Sequence, residues 1–149
     1  MLCSDHLRRI VELASAGHPN EACGLVVGRS WSEARLVELP NLQDRYHARD
    51  PERFPRTART AYAMDPLALS RAIDEAGGLL CIWHSHCEVG AYFSEEDVRV
   101  ALGGGERPLW PGTVYLVVSC RQGLVDGARL FSWSDAAGAF EGREVALPD

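Results

Sequence analysis

CIWHSHCEVGAYFSEED, residues 81–97, sets two histidines one residue apart at the end of an apolar run, and Ser94-x-x-Asp97 follows. In a strand, residues i and i+2 point to one face, so His84 and His86 converge while Ser85 points away. LLCIWH (79–84) is apolar up to its final histidine and reads as a central strand. SEEDVRVAL (94–102) reads as a helix that begins at Ser94 and is stopped by Gly103 to Gly105. A strand ending in two histidines, a turn, and then a helix start mix both element types, and with the rest of the chain intermixed in the same way around one sheet the class is α/β or α+β.

Outward from this segment the same alternation holds. SDHLRRIVELASAG (4–17) carries Leu7, Ile10, Val11 and Ala14 at helical spacing, with Ser4 as N-cap and Gly17 as stop. ACGLVVG (22–28) reads as a buried strand and ARLVELP (34–40) as its hairpin partner. NLQDRYHARDPERFPRTAR (41–59) has two prolines, no clear period, and five arginines against three acids, and is read as a long loop. Loops of that length in a compact domain are usually functional or mobile. TAYAM (60–64) resumes strand character, after which Asp65 and Pro66 open a helix that Gly77 and Gly78 close. TVYLVVS (113–119) and ARLFSW (128–133) are two more strands, and REVAL (143–147) is a candidate for a last one. Nothing repeats and no linker divides the chain, so residues 1–149 are expected to form one domain around a single sheet.

Composition narrows the function. The net charge of −6 argues against a general nucleic-acid binder. All 15 basic residues are arginine. The five cysteines (Cys3, Cys23, Cys81, Cys87, Cys120) are odd in number and contain no C-x-x-C, unlike a disulfide framework. No leader and no apolar run near the length of a membrane span is present, so a cytoplasmic protein is expected.

Two imidazoles and one carboxylate make a usual catalytic zinc shell with a fourth position left for water. Asp97 is the candidate third ligand, because the first turn of a helix favours an ionised carboxylate. Taken alone, H-x-H is a weak signal, and Ser94-x-x-Asp97 has the form of a capping box. The two readings are compatible: a serine that accepts a backbone N–H still has its own proton to donate. Zinc hydrolysis also needs a general base. Glu88, Glu95 and Glu96 are near in sequence but are explained by surface solvation. Glu21 precedes a buried strand, yet spacing alone does not bring it to His84.

PNEACGLVVG (19–28), then H-S-H-x(7)-S-E-E-D, resembles the JAMM (MPN+) metallopeptidase family, as do AMDP (63–66) and WPGTVYLVVS (110–119). The resemblance implies a central mixed sheet flanked by helices, in a cytidine-deaminase-like architecture. It implies Zn²⁺ held by His84, His86 and Asp97, with Glu21 as general base and then proton donor to the leaving amine. Ser94 would donate a hydrogen bond to the oxyanion, and zinc-bound water would attack the amide directly. Cys23 and Cys87 would therefore not be nucleophiles. Within the family, HSHCEVGAYFSEEDVRVA is most similar to bacterial peptidases that remove cysteine from the C-terminus of a ubiquitin-like sulfur carrier protein. The implied partner is such a carrier, with a Gly-Gly-type tail bound as an added strand. Arg49 and Arg53 are the expected docking residues for an acidic face of that carrier. Two other readings stay open: an isopeptidase acting on modified lysines, and a non-catalytic scaffold of the same fold. Many members have proline where this chain has Cys87 and Phe93, so the turn between His86 and Ser94 is less pre-set here.

Overall fold

The computed structural model describes residues 1–149. Six strands form one mixed sheet: β1 (Cys23–Val27), β2 (Arg35–Leu39), β3 (Leu79–Cys87), β4 (Val114–Arg121), β5 (Leu124–Ser134) and β6 (Ala139–Glu144). Their order is β2-β1-β3-β4-β5-β6. Only β3 and β4 pair in parallel; every other neighbour is antiparallel. Four helices accompany the sheet: α1 (Ser4–Gly17), α2 (Gln43–Arg49), α3 (Pro66–Ala76) and α4 (Glu95–Leu102). The parallel β3–β4 pair requires a crossover, and α4 lies in it.

Alternation along the strands sorts the core into two layers. On one face, Leu7, Ile10 and Ala14 of α1 pack against Val26, Cys81, Trp83, Leu116 and Val118. Their i, i+3, i+7 spacing is the apolar stripe that makes α1 a helix. On the other face, Ala72 of α3 and Ala101 of α4 pack with Leu25, Val27, Ile82, Tyr115, Val117 and Phe131. Ile82, His84 and His86 share this second face by their period of two, so the histidines continue a core row outward to the sheet end.

Five expectations need correction. Ser4 is the first helical residue of α1, and the N-cap is Cys3, which makes no side-chain capping bond. Gly17 lies within α1, and His18 closes it. Residues 43–49 are not loop but helix α2, whose N-cap Leu42 also makes no side-chain bond, so no usual start signal marks it. TAYAM forms no strand: Leu42 N–H donates to the Ala63 carbonyl at 2.8 Å, and Ala63 N–H donates to Asn41 Oδ1 at 3.1 Å. Its backbone is thus spent on residues 41–42 rather than on a sheet neighbour. The last strand ends at Glu144, short of the expected 143–147. No helix is long and apolar enough to cross a membrane.

Gly24 shows how tightly β1 is held. A Cβ there would lie 2.6 Å from the Val37 carbonyl oxygen and 2.7 Å from Trp83 Nε1. Neither is the free end of a flexible side chain, since Trp83 is fully buried. Gly24→Ala is expected to destabilise the protein by about 1–3 kcal/mol through overpacking. Urea unfolding should show a lower midpoint with an unchanged slope, and an unaltered midpoint would contradict this packing.

Candidate active site

The site grows from the end of β3. His84 and His86 are 0% and 5% exposed, and their Nε2 atoms stand 3.1 Å apart. Asp97, in the first turn of α4, brings its Oδ2 to 3.3 Å from each of them. The α4 start is fixed by a complete capping box. Asp97 N–H donates to Ser94 Oγ and Ser94 N–H donates to Asp97 Oδ2, both at 3.0 Å. One carboxylate oxygen therefore takes part in the cap and in the triangle with the histidines.

These three residues fit a metal ion. His86 Nδ1 lies 3.0 Å from the Gly90 carbonyl, which can only accept, so that ring nitrogen carries a proton and Nε2 is the atom left to face a metal. Burial lowers the pKa of His84, although the Asp97 hydrogen bond and charge oppose it, and the imidazole stays neutral. Burial works against ionisation of Asp97, but bonds from His84, His86 and Ser94 N–H hold it well below the usual carboxylate range. The Asp97 carboxylate oxygen and the two Nε2 atoms thus converge at 3.1–3.3 Å from one another. A tetrahedral ion with bonds of about 2.0–2.1 Å has ligand–ligand edges of about 3.3 Å. The triangle has the dimensions of one face of such a tetrahedron. His84 Nδ1 is buried with no hydrogen-bond partner, and the ring is instead held by Tyr62, stacked on it at 4.5 Å.

Glu21 reaches the same place through the sheet. Cys23 is the Cα partner of His84 in the antiparallel β1–β3 pair. One step outward, Ser85 N–H donates to the Ala22 carbonyl at 2.9 Å, and Ala22 N–H donates to Ser85 Oγ at 2.8 Å. Continuing that register one more step pairs Glu21 with His86, whose side chain lies on the metal-ligand face. Glu21 is 7% exposed. Burial, then the nearby Asp97 charge, push its pKa up to about 9, with Arg56 opposing.

Several contributors carry no sequence signal of this kind. Asn41 donates to the carbonyls of Glu21 (2.8 Å) and Ala61 (3.0 Å) and accepts from Gln43 N–H (3.0 Å) and Ala63 N–H (3.1 Å). It ties the Glu21 backbone to the segment that carries Tyr62. The Glu21 N–H itself donates to the Ala58 carbonyl at 2.7 Å. These are contacts between segments far apart in the chain, and local pattern does not report them.

The turn without its prolines is fixed by other means. Phe93 packs among Tyr115, Phe131 and Phe140 with ring centroids 5.0–5.2 Å away. Ser119 Oγ donates to the Val89 carbonyl at 2.8 Å, and Tyr92 sets its ring edge-on against His86. Cys87 is half-buried on the face away from the histidines, and burial pushes its pKa up to about 11. The Cys23 thiol is pushed up to about 12, also mainly by burial. Neither is an activated nucleophile. Of the two arginines expected at a docking surface, Arg49 ends α2 and Arg53 is exposed over the Phe54 ring.

Known proteins agree with this architecture. Residues 4–135 match the family described as prokaryotic homologs of the JAB domain. A protein of Mycobacterium tuberculosis named CysO-cysteine peptidase is 30% identical over 122 residues, covering 79% of this chain and 71% of its own. A probable TtuB-protein conjugate cleaving protease of Thermus thermophilus is 36% identical over 87 residues, 56% of this chain and 50% of its own. A solution structure of a Salinibacter ruber protein superposes with a TM-score of 0.61 at 21% identity, covering 99% of this chain and 90% of that one, a likeness of fold alone. With its sheet, its motif order and this match over most of its length, the chain belongs to the JAB-domain (JAMM) family, among the prokaryotic homologs.

Proposed function

We propose that the protein is a zinc-dependent peptidase that hydrolyses the amide at the C-terminus of a ubiquitin-like sulfur carrier protein, releasing cysteine or a similar adduct. The observation that carries this reading is the buried triangle of His84, His86 and Asp97 with Glu21 beside it. The carrier as substrate is supported by the names of the two peptidase relatives, one a CysO-cysteine peptidase and one a cleaver of TtuB–protein conjugates.

A zinc ion held by the three ligands would polarise the substrate carbonyl and make a coordinated water acidic near neutral pH. Glu21 would take a proton from the attacking water and return it to the leaving amine. Its burial suits this double duty, because a carboxylate with raised proton affinity accepts and carries a proton well. A cation beside Asp97 would offset that charge and lower the affinity toward the working pH. Ser94 Oγ accepts from Asp97 N–H, which leaves the hydroxyl proton to donate to the oxyanion. Two raised thiol pKa values support direct hydrolysis over a cysteine acyl-enzyme.

The basic segment supports a carrier-docking role. Arg45, Arg49, Arg53 and Arg59 have no carboxylate within ion-pair distance, nor do Arg71, Arg129 and Arg143 elsewhere, whereas Arg8, Arg9, Arg29, Arg35, Arg99, Arg107 and Arg121 do. A cluster of unpaired guanidinium groups on an acidic protein is suited to an acidic partner, and Arg49 and Arg53 are its proposed anchors. All five cysteines are free, which supports a reducing cytoplasm. A second reading, cleavage of carrier–protein isopeptides, is favoured by the conjugate-cleaving relative.

Zinc-loaded protein incubated with a carrier bearing a C-terminal cysteine should release that cysteine, read as a loss in intact mass. Glu21→Gln should keep its zinc and lose about 10²–10⁴-fold in turnover, the usual weight of a general base. Unchanged turnover would remove Glu21 from the mechanism. Charge reversal at Arg49 and Arg53 together should raise KM strongly and leave kcat nearly intact. An unchanged KM would show that the carrier docks elsewhere.

A further inference from the structure

We propose that Arg56 is a specificity-determining residue that binds the α-carboxylate of the amino acid on the leaving side of the scissile amide. The inference rests on the peptidase reading above and deepens it. It selects adducts that end in a free carboxylate over lysine isopeptides, in which the lysine's own carboxyl is part of a protein chain.

Arg56 differs from the other arginines of its segment in how its backbone is held beside Glu21. Its carbonyl accepts from Gln43 Nε2 at 2.9 Å, and Gln43 is the one buried residue of α2. Two residues on, Ala58 N–H donates to Asp44 Oδ1 at 2.7 Å, and the Ala58 carbonyl accepts the Glu21 N–H at 2.7 Å. The 56–58 turn is thus clamped to α2 on one side and to the proposed base on the other. The Arg56 side chain is exposed and has no ion-pair partner. Its charge reaches Glu21, where it opposes the effects of burial and Asp97. It also reaches Glu96, but that carboxylate is already bound bidentately by Arg99 at 2.6 and 2.9 Å. No neighbouring acid uses up the guanidinium.

The chemistry locates what it would bind. If Glu21 returns a proton to the leaving amine, that amine lies against Glu21. In an amino-acid leaving group, the carboxylate sits on the same Cα as the amine. An arginine whose backbone is clamped next to Glu21 is therefore placed to meet the one negative charge that such a leaving group must bring. Guanidinium and carboxylate also match geometrically, with two parallel N–H···O bonds. Arg49 and Arg53, the proposed carrier anchors, lie outside the clamped 56–58 turn, so the two functions are separable by mutation.

The test uses the zinc-loaded full chain and two substrates, a carrier ending in cysteine and the same carrier ending in cysteinamide. Wild type should prefer the free acid, and Arg56→Gln should lose roughly 10- to 100-fold in kcat/KM for the acid, the scale of hydrogen bonds to a charged group. It should leave the amide unaffected, and Arg56→Lys should restore part of the preference. Binding of both carriers to the Glu21→Gln protein, followed by fluorescence anisotropy, should show the same discrimination, erased by adding Arg56→Gln. Charge reversal at Arg49 and Arg53 should weaken both carriers equally. Equal cleavage of acid and amide by wild type, or an equal loss on both in Arg56→Gln, overturns the role of Arg56 and leaves the peptidase reading standing. Cleavage of neither carrier by wild type overturns both.

Discussion

The register between β1 and β3 is the constraint on which the site depends. A one-residue slip in an antiparallel pair moves every side chain to the opposite face. Here the pairing of Cys23 with His84 and the double link between Ala22 and Ser85 rule out such a slip. The serine between the two histidines is therefore not a spacer. It points away from them, is fully buried, and uses its hydroxyl to accept the backbone N–H next to Glu21. The two faces of β3 divide the labour: one presents imidazoles, and the other locks the strand that carries the carboxylate. Hydrophobic burial behind Trp83 and Leu25 holds both strands in that relation.

The second ligand source, α4, is joined to the site by an economy of atoms. In an ordinary capping box the N3 carboxylate only satisfies a backbone donor. Asp97 does that with the same oxygen that faces both histidines. The helix start, where free N–H groups and the dipole stabilise an anion, thus keeps the carboxylate ionised in a nearly dry place. Burial lowers the proton affinity of His84, and the Asp97 carboxylate meets both ring nitrogens at one point. Such an arrangement stores a preference for a cation in its geometry. It also explains the high proton affinity of Glu21, which is buried next to that charge.

The parts of this structure legible in sequence are those written in short range. The period-two spacing of His84 and His86, the Ser94–Asp97 cap, the Asp65–Pro66 helix start and the apolar strands all report themselves within a few residues. The family motif named Glu21, but no local rule could bring it to His86, because strand pairing is a relation between segments 63 residues apart. Helix α2 carries no such local mark, because its N-cap Leu42 has no capping side chain, the Asn41 that accepts the Gln43 N–H sits one residue earlier, and the segment that follows is rich in proline and charge. TAYAM misled for the opposite reason. Its aromatic and small residues have strand character, but Tyr62 is spent on His84 and the backbone on Asn41. Propensity lost to tertiary context at the segment that lines the site.

The turn that joins the histidines to Asp97 is held without the prolines that many family members carry there. Proline fixes a turn largely by restricting the unfolded chain. This chain lacks it at both expected positions, and Phe93 gains its fixed place only after Tyr115, Phe131 and Phe140 have assembled around it. Two of those rings come from β5 and β6, at the far edge of the sheet from β1. The position of Ser94, and through it Asp97, is thereby coupled to the order of that edge. Glu21 draws its position from the opposite direction, through β1, Asn41 and the 56–58 turn. The two halves of the site are held by different parts of the fold, and the central strand β3 is the element on which both converge.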